Sequence, residues 1–85
     1  MSVLKKTVTI TLSSGGNASL GINKDRPLYG VYANSLNGSN GIYLTPYSTP
    51  ATTDWYVHAE SNNAIYAGTI EVIAYYGNLV SYLVS

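Results

Sequence analysis

Three residues within seven positions have the types that acid–base or metal chemistry needs: Asp54, His58 and Glu60. Histidine is the side chain whose ordinary titration falls near neutrality. In an extended segment His58 and Glu60 share one face, because side chains alternate with period two. A pair of this kind could hold a metal or pass a proton. A zinc site needs three or four ligands, and one strand face supplies at most two here. Ligand count therefore favours a polar strand face carrying Tyr56, His58 and Glu60, and no metal or cofactor is expected. Nucleophilic catalysis needs a Ser, Thr or Lys activated by a base. There is one His, and no Gly-x-Ser-x-Gly elbow, Walker loop or dinucleotide fingerprint. The expectation is a protein that is not an enzyme. The spacing from Gly38 to Gly41 is that of a backbone-clamping glycine loop, but no flanking helices or basic residues accompany it, and a hairpin turn explains it better. Lys5-Lys6 is a basic pair of the sort that solvates a strand end. Asn17-Ala18-Ser19 and Asn37-Gly38-Ser39 match a glycosylation triplet, yet the start of the chain has no long apolar core of a secretory signal.

The remaining chemical signal is aromatic. The chain has nine Tyr, one Trp, no Phe and eight Asn. Tyrosine offers a flat apolar ring and a hydroxyl at low entropic cost, which suits recognition surfaces. Sugars present apolar ring faces and hydroxyls, so Tyr, Trp and Asn are apt partners for them. Tyr32, Asn37, Asn40, Tyr43, Tyr47, Trp55 and Tyr56 form the expected contact surface, with the loops around residues 34–41 and 46–53. The plainer reading is that Tyr replaces Phe in a small core, its hydroxyl reaching the rim.

Composition bounds the rest. The chain has 85 residues, and 9% are charged, four basic and four acidic, for a net charge of zero. An average soluble domain has about 25%. One domain, residues 1–85, is all this length supports. There is no basic surplus to neutralise phosphates, which argues against nucleic-acid binding. Hydrophobic residues make up 46%, which is not the profile of a disordered chain. There is no Cys, so disulfides are excluded, and either the chain is made and used in a reducing compartment or partner subunits supply the missing stability. The uncharged stretch after Glu71 is too short and too polar to span a bilayer.

The elements that must position these residues are strands. Thr7 to Leu12 alternates strictly, with Val8, Ile10 and Leu12 expected inward and Thr7, Thr9 and Thr11 outward. Ser13 to Asn17 is turn chemistry. Ala18, Leu20 and Ile22 alternate again. Residues 23–27 form a polar turn, and 28–33 a third strand with Gly30 as a bulge or close approach. Two Asn-Gly pairs in 34–41 signal a hairpin. Residues 42–45 are a short strand, and 46–53 a longer connection with two prolines. Residues 54–60 place Trp55, Val57 and Ala59 on one face. Residues 64–67 are a short strand candidate, and 69–76 a longer one. Residues 77–85 fit a strand, a helix or a disordered tail. No segment before Gly77 has a helical period, and there is no internal repeat or linker. The expected fold is all-β: a small antiparallel β-sandwich or jelly-roll-like barrel of six to eight short strands.

A half-exposed antiparallel strand should have one polar face. Residues 70–76 do not, because Ile70, Val72, Ala74 and Tyr76 line one face while Ile73 and Tyr75 sit on the other. The tail residues Leu79, Val80, Tyr82, Leu83 and Val84 are apolar on both. Large exposed apolar patches mark interfaces, and near-zero net charge removes self-repulsion. Ile73, Tyr75, Leu79, Val80, Tyr82, Leu83 and Val84 are therefore the expected subunit interface. A closed barrel with a disordered tail is the alternative.

Four stretches carry a resemblance: Gly30-Val31-Tyr32-Ala33, Gly41-Ile42-Tyr43-Leu44-Thr45-Pro46, Asp54-Trp55-Tyr56-Val57-His58, and the closing run from Gly68 to Tyr75-Tyr76. Their order resembles the small β-domains of bacteriophage tail fibres and receptor-binding proteins, over roughly the last two-thirds of the chain. The resemblance implies a homotrimeric β-structure on a virion that contacts other virion proteins and host-surface glycans, made in the bacterial cytoplasm. The chain departs from that pattern in having its own Met1 and no shaft or anchor segment. A decoration or tail-accessory role fits the short length as well. A carbohydrate-binding module outside any virion, or a small phage-encoded inhibitor of a host protein, are the other readings.

Overall fold

Side-chain alternation gives each sheet one apolar inner face, and the two inner faces close on each other. The computed structural model describes residues 1–10, 15–34, 41–63 and 67–78. Among them are six strands: β1 (Ser2–Ile10), β2 (Gly16–Asn23), β3 (Leu28–Asn34), β4 (Ile42–Tyr47), β5 (Asp54–Ser61) and β6 (Gly68–Tyr76). They form two three-stranded antiparallel sheets, β1–β6–β3 and β2–β5–β4. The chain is thus all-β, a small β-sandwich, and among the described residues no strand pairing joins the two sheets into a barrel.

The core between the sheets is apolar throughout. Val8, Leu20, Ile22, Val57, Ala59, Ile70, Val72 and Ala74 are buried in it, and no polar or charged side chain is among the buried described residues. The expected inward sets in β2, β5 and β6 are the ones found. Val8 is buried and Thr7 and Thr9 are exposed, as the alternation of β1 requires. Two glycines with positive φ shape the second sheet. Gly15 (φ +68°) sits where an added Cβ would lie 2.5 Å from the Ala59 carbonyl, at the point where β2 meets β5. Gly21 (φ +72°) lies inside the register shift between Ser19 and Asn23, and its N–H bonds the Ser19 hydroxyl oxygen. A second irregularity falls between Leu28 and Gly30, where the sequence places a bulge.

Several boundaries differ from expectation. β1 begins at Ser2, so Lys5 and Lys6 lie inside a strand rather than at its end. β1 is an edge strand, and lysine there blunts edge-to-edge pairing at no cost to the core. β4 runs through Pro46 to Tyr47, shortening the loop before β5 to residues 48–53. Pro46 is tolerated because β4 is also an edge. Gly16 and Asn17, expected in a turn, belong to β2. The Asn-Gly pairs do not make a β3–β4 hairpin, since β3 pairs with β6 and β4 with β5. Burial of both inner faces outweighs the local turn preference, so the chain crosses between sheets there. Asn37, Asn40, Leu79, Val80, Tyr82, Leu83 and Val84 lie outside the described residues, as does most of the 64–67 strand.

Candidate functional site

The sandwich leaves two outer faces, and each gathers part of the expected contact surface. On β2–β5–β4, cross-strand pairing sets Asn17 opposite His58, Thr45 on the other side of His58, Tyr43 opposite Glu60, and Tyr47 opposite Tyr56. The His58 Nδ1 lies 2.8 Å from Asn17 Oδ1, and Nε2 lies 2.8 Å from Glu60 Oε1. The Tyr47 hydroxyl donates to the same Asn17 oxygen at 3.3 Å. The Tyr47 and Tyr56 rings stand 5.7 Å apart, tilted by 35°. Asp54 shares this face's parity but pairs with Asn23, at the far end of β5 from Glu60. So His58 and Glu60 meet as the spacing predicts, and Asp54 stays apart from them. The cluster is a set of cross-strand pins that fixes the polar side chains of three strands. It lies on an open sheet face, and both ring nitrogens of His58 are engaged by Asn17 and Glu60 rather than by the neighbouring Thr45 hydroxyl.

On β1–β6–β3 the outer face is apolar at one end. Pairing aligns Val3, Tyr75 and Gly30 in one row and Lys5, Ile73 and Tyr32 in the next. Met1, Val3, Tyr29 and Tyr32 are 87, 56, 61 and 58% exposed, an unusual amount of large apolar surface for a small chain. Met1, Tyr29, Gly30, Tyr32 and Tyr75 line a cleft of about 490 Å³. Its walls are tyrosine: the Tyr32 and Tyr75 rings meet edge to face, centroids 5.7 Å apart and planes at 72°. Gly30 makes this wall. A Cβ there would stand 2.8 Å from the Tyr32 hydroxyl and 2.9 Å from its ring, so the absence of a side chain lets that ring lie back over the strand. Gly77 does the same for Tyr29, whose hydroxyl would be 2.5 Å from an added Cβ.

No family model, curated protein or solved structure matches the chain. The site therefore rests on its own geometry.

That geometry regroups the expected residues. Tyr32, assigned to the contact surface, and Ile73 and Tyr75, assigned to the subunit interface, occupy one face. Tyr43, Tyr47 and Tyr56 occupy the opposite one. Trp55, expected at the contact surface, turns inward: it packs against the core, and its Nε1–H donates to the Arg26 carbonyl at 2.9 Å. Its parity with Val57 and Ala59 already places it there. Met1, Val3 and Gly30 were not among the expected contact residues. Only the register of β1 and β3 on β6 brings them to Tyr75.

Proposed function

We propose that this is a non-enzymatic structural protein of a bacteriophage virion, of tail, fibre or decoration type, that works by surface contact as a homo-oligomer. One observation carries the contact reading: the exposed apolar end of the β1–β6–β3 outer face, where Val3, Tyr32, Ile73 and Tyr75 lie together with no strand or loop of the described chain over them. Covering that face removes apolar surface from water at about 25 cal/mol per Å². The zero net charge puts no repulsion in the way. The virion setting rests on the tail-fibre resemblance.

Glycan contact is assigned to the other outer face. There Tyr43 is largely exposed, Tyr47 and Tyr56 pair their rings, and the mutually bonded Asn17, His58 and Glu60 form a fixed polar border. On a glycan array, saturable binding lost in Tyr43→Ala supports that assignment, and an empty array removes it.

Sedimentation velocity at micromolar concentration tests the assembly. The expected result is an oligomer that Ile73→Lys converts to a folded monomer, and a wild-type monomer overturns the reading. Mass spectrometry of purified particles tests the setting, and absence of the chain from them counts against it.

A further inference from the structure

We propose that the tyrosine cleft of one copy receives the β4–β5 loop of a second copy, with Pro50 at its centre. This rests on the self-association reading and names the parts that meet.

The cleft has a narrow chemistry. Its lining is Met1, Tyr29, Gly30, Tyr32 and Tyr75, with no charged side chain, and its only side-chain polar groups are phenol hydroxyls. It is a shallow depression of about 490 Å³, largely open to solvent, and so suits the tip of a loop better than an enclosed small molecule. A sugar would find only three phenol hydroxyls among the lining side chains to pair with its own. A proline-containing turn fits better. Proline has an apolar ring to lay on aromatic faces, no N–H to strand, and a carbonyl that a phenol can donate to. Aromatic-lined grooves recognise prolines in this way in general.

The chain carries such a turn. Ser48, Thr49, Pro50 and Ala51 are all exposed, and residues 45–53 hold no charge. The loop is already ordered. The Thr52 N–H donates to the Thr49 carbonyl at 3.1 Å, the Thr49 N–H to Thr52 Oγ1 at 2.9 Å, and the Thr52 hydroxyl to the Thr49 carbonyl at 3.0 Å. Lys24 Nζ adds a bond to the Thr49 carbonyl at 3.0 Å. A tip held this way loses little entropy on docking.

Topology makes the contact intermolecular. The loop belongs to β2–β5–β4, and the cleft lies on the outer face of the other sheet, which points away from it. Packed sheets are about 10 Å apart, so a short loop of one sheet does not reach the far side of its partner. Each copy then carries one donor and one acceptor surface. That contact closes into a reciprocal pair or ring, or it grows.

Two variants that each break one half provide the test: Tyr32→Ala for the cleft and Pro50→Asp for the loop. Both positions are exposed. Far-UV circular dichroism checks folding, with Tyr32→Leu and Pro50→Lys as replacements for a variant that fails it. In sedimentation equilibrium each variant alone is expected to associate at least about tenfold more weakly than wild type, as interface hot spots do. Mixed in equal amounts, the two are expected to form a one-to-one heterodimer through the remaining intact cleft and intact loop. A wild-type monomer overturns this proposal and the self-association reading together. A wild-type oligomer that Tyr32→Ala breaks but Pro50→Asp does not means that another segment fills the cleft. That result, or failure of the mixture to pair, overturns this proposal alone.

Discussion

An added Cβ at Gly30 meets the far end of a side chain, Tyr32, whereas one at Gly15 meets backbone, the Ala59 carbonyl at 2.5 Å. The two positions should respond differently to the same substitution. A tyrosine ring can rotate away, and glycine inside a strand already costs about 0.5–1 kcal/mol relative to alanine. Gly30→Ala should therefore leave stability within about 1 kcal/mol of wild type and change the cleft. The readout is loss of the ring-current shifts between Tyr32 and Tyr75. Gly15→Ala has no such escape. Its positive φ alone costs about 1–2 kcal/mol in an L-residue, and β5 must also move. Gly21→Ala carries the φ cost with nothing within 4 Å to clash. Urea midpoints should fall in the order Gly30→Ala, Gly21→Ala, Gly15→Ala, the last being lowest. A Gly15→Ala midpoint at or above that of Gly21→Ala would show that the sheet yields there at no cost.

At the scale of elements, alternation made β2, β5 and β6 legible, because Leu20, Val57 and Val72 each sit in a period-two run between turn residues. The same rule placed Trp55 inward, although its type argued for a contact surface. Parity outweighs residue type because a strand cannot turn one side chain to the opposite face alone. The start of β1 was not legible, since Lys5 and Lys6 have the look of a strand end. Lys6 shares the parity of Leu4 and Val8, the core side, yet stays exposed at the edge. A charge there protects the open edge against pairing with another chain. Lys6→Val should accordingly keep the fold and raise aggregation, measured by light scattering at constant temperature. Unchanged scattering would mean that the edge is already protected by its surroundings. The cleft was the least legible feature. Tyr32 and Tyr75 are far apart in the chain, and only the β3–β6 register, with its shift before Gly30, makes them neighbours.

For the whole molecule, the scarcity of charge becomes a property of its contacts. Of the eight charges, two lie on the edge strand β1, three in the turn after β2, two on the polar face of β5, and Glu71 on the central strand β6. Lys24 is occupied by the Thr49 carbonyl, and Arg26 lies over the Tyr76 ring at 5.5 Å. Neither the cleft nor the 48–51 tip holds a charged side chain, the ammonium of Met1 is the one backbone charge at the cleft, and Lys5 is the one cation in the row beside Tyr32. Association through these surfaces is then driven by apolar burial, with almost no Coulomb contribution for salt to screen. From low salt to about 0.5 M, where the Debye length falls to a few ångströms, the dissociation constant should change less than about twofold. Sulfate should tighten it, because excluded salts strengthen apolar burial, and cooling should weaken it for the same reason. An interface built on the Lys5, Lys6 and Glu71 charges behaves in the opposite way, loosening steadily as salt rises. Sedimentation equilibrium across a sodium chloride series, repeated in sulfate and at low temperature, separates the two. A steep loss of association with salt would move the interface from the tyrosine end of the β1–β6–β3 face to its charged edge.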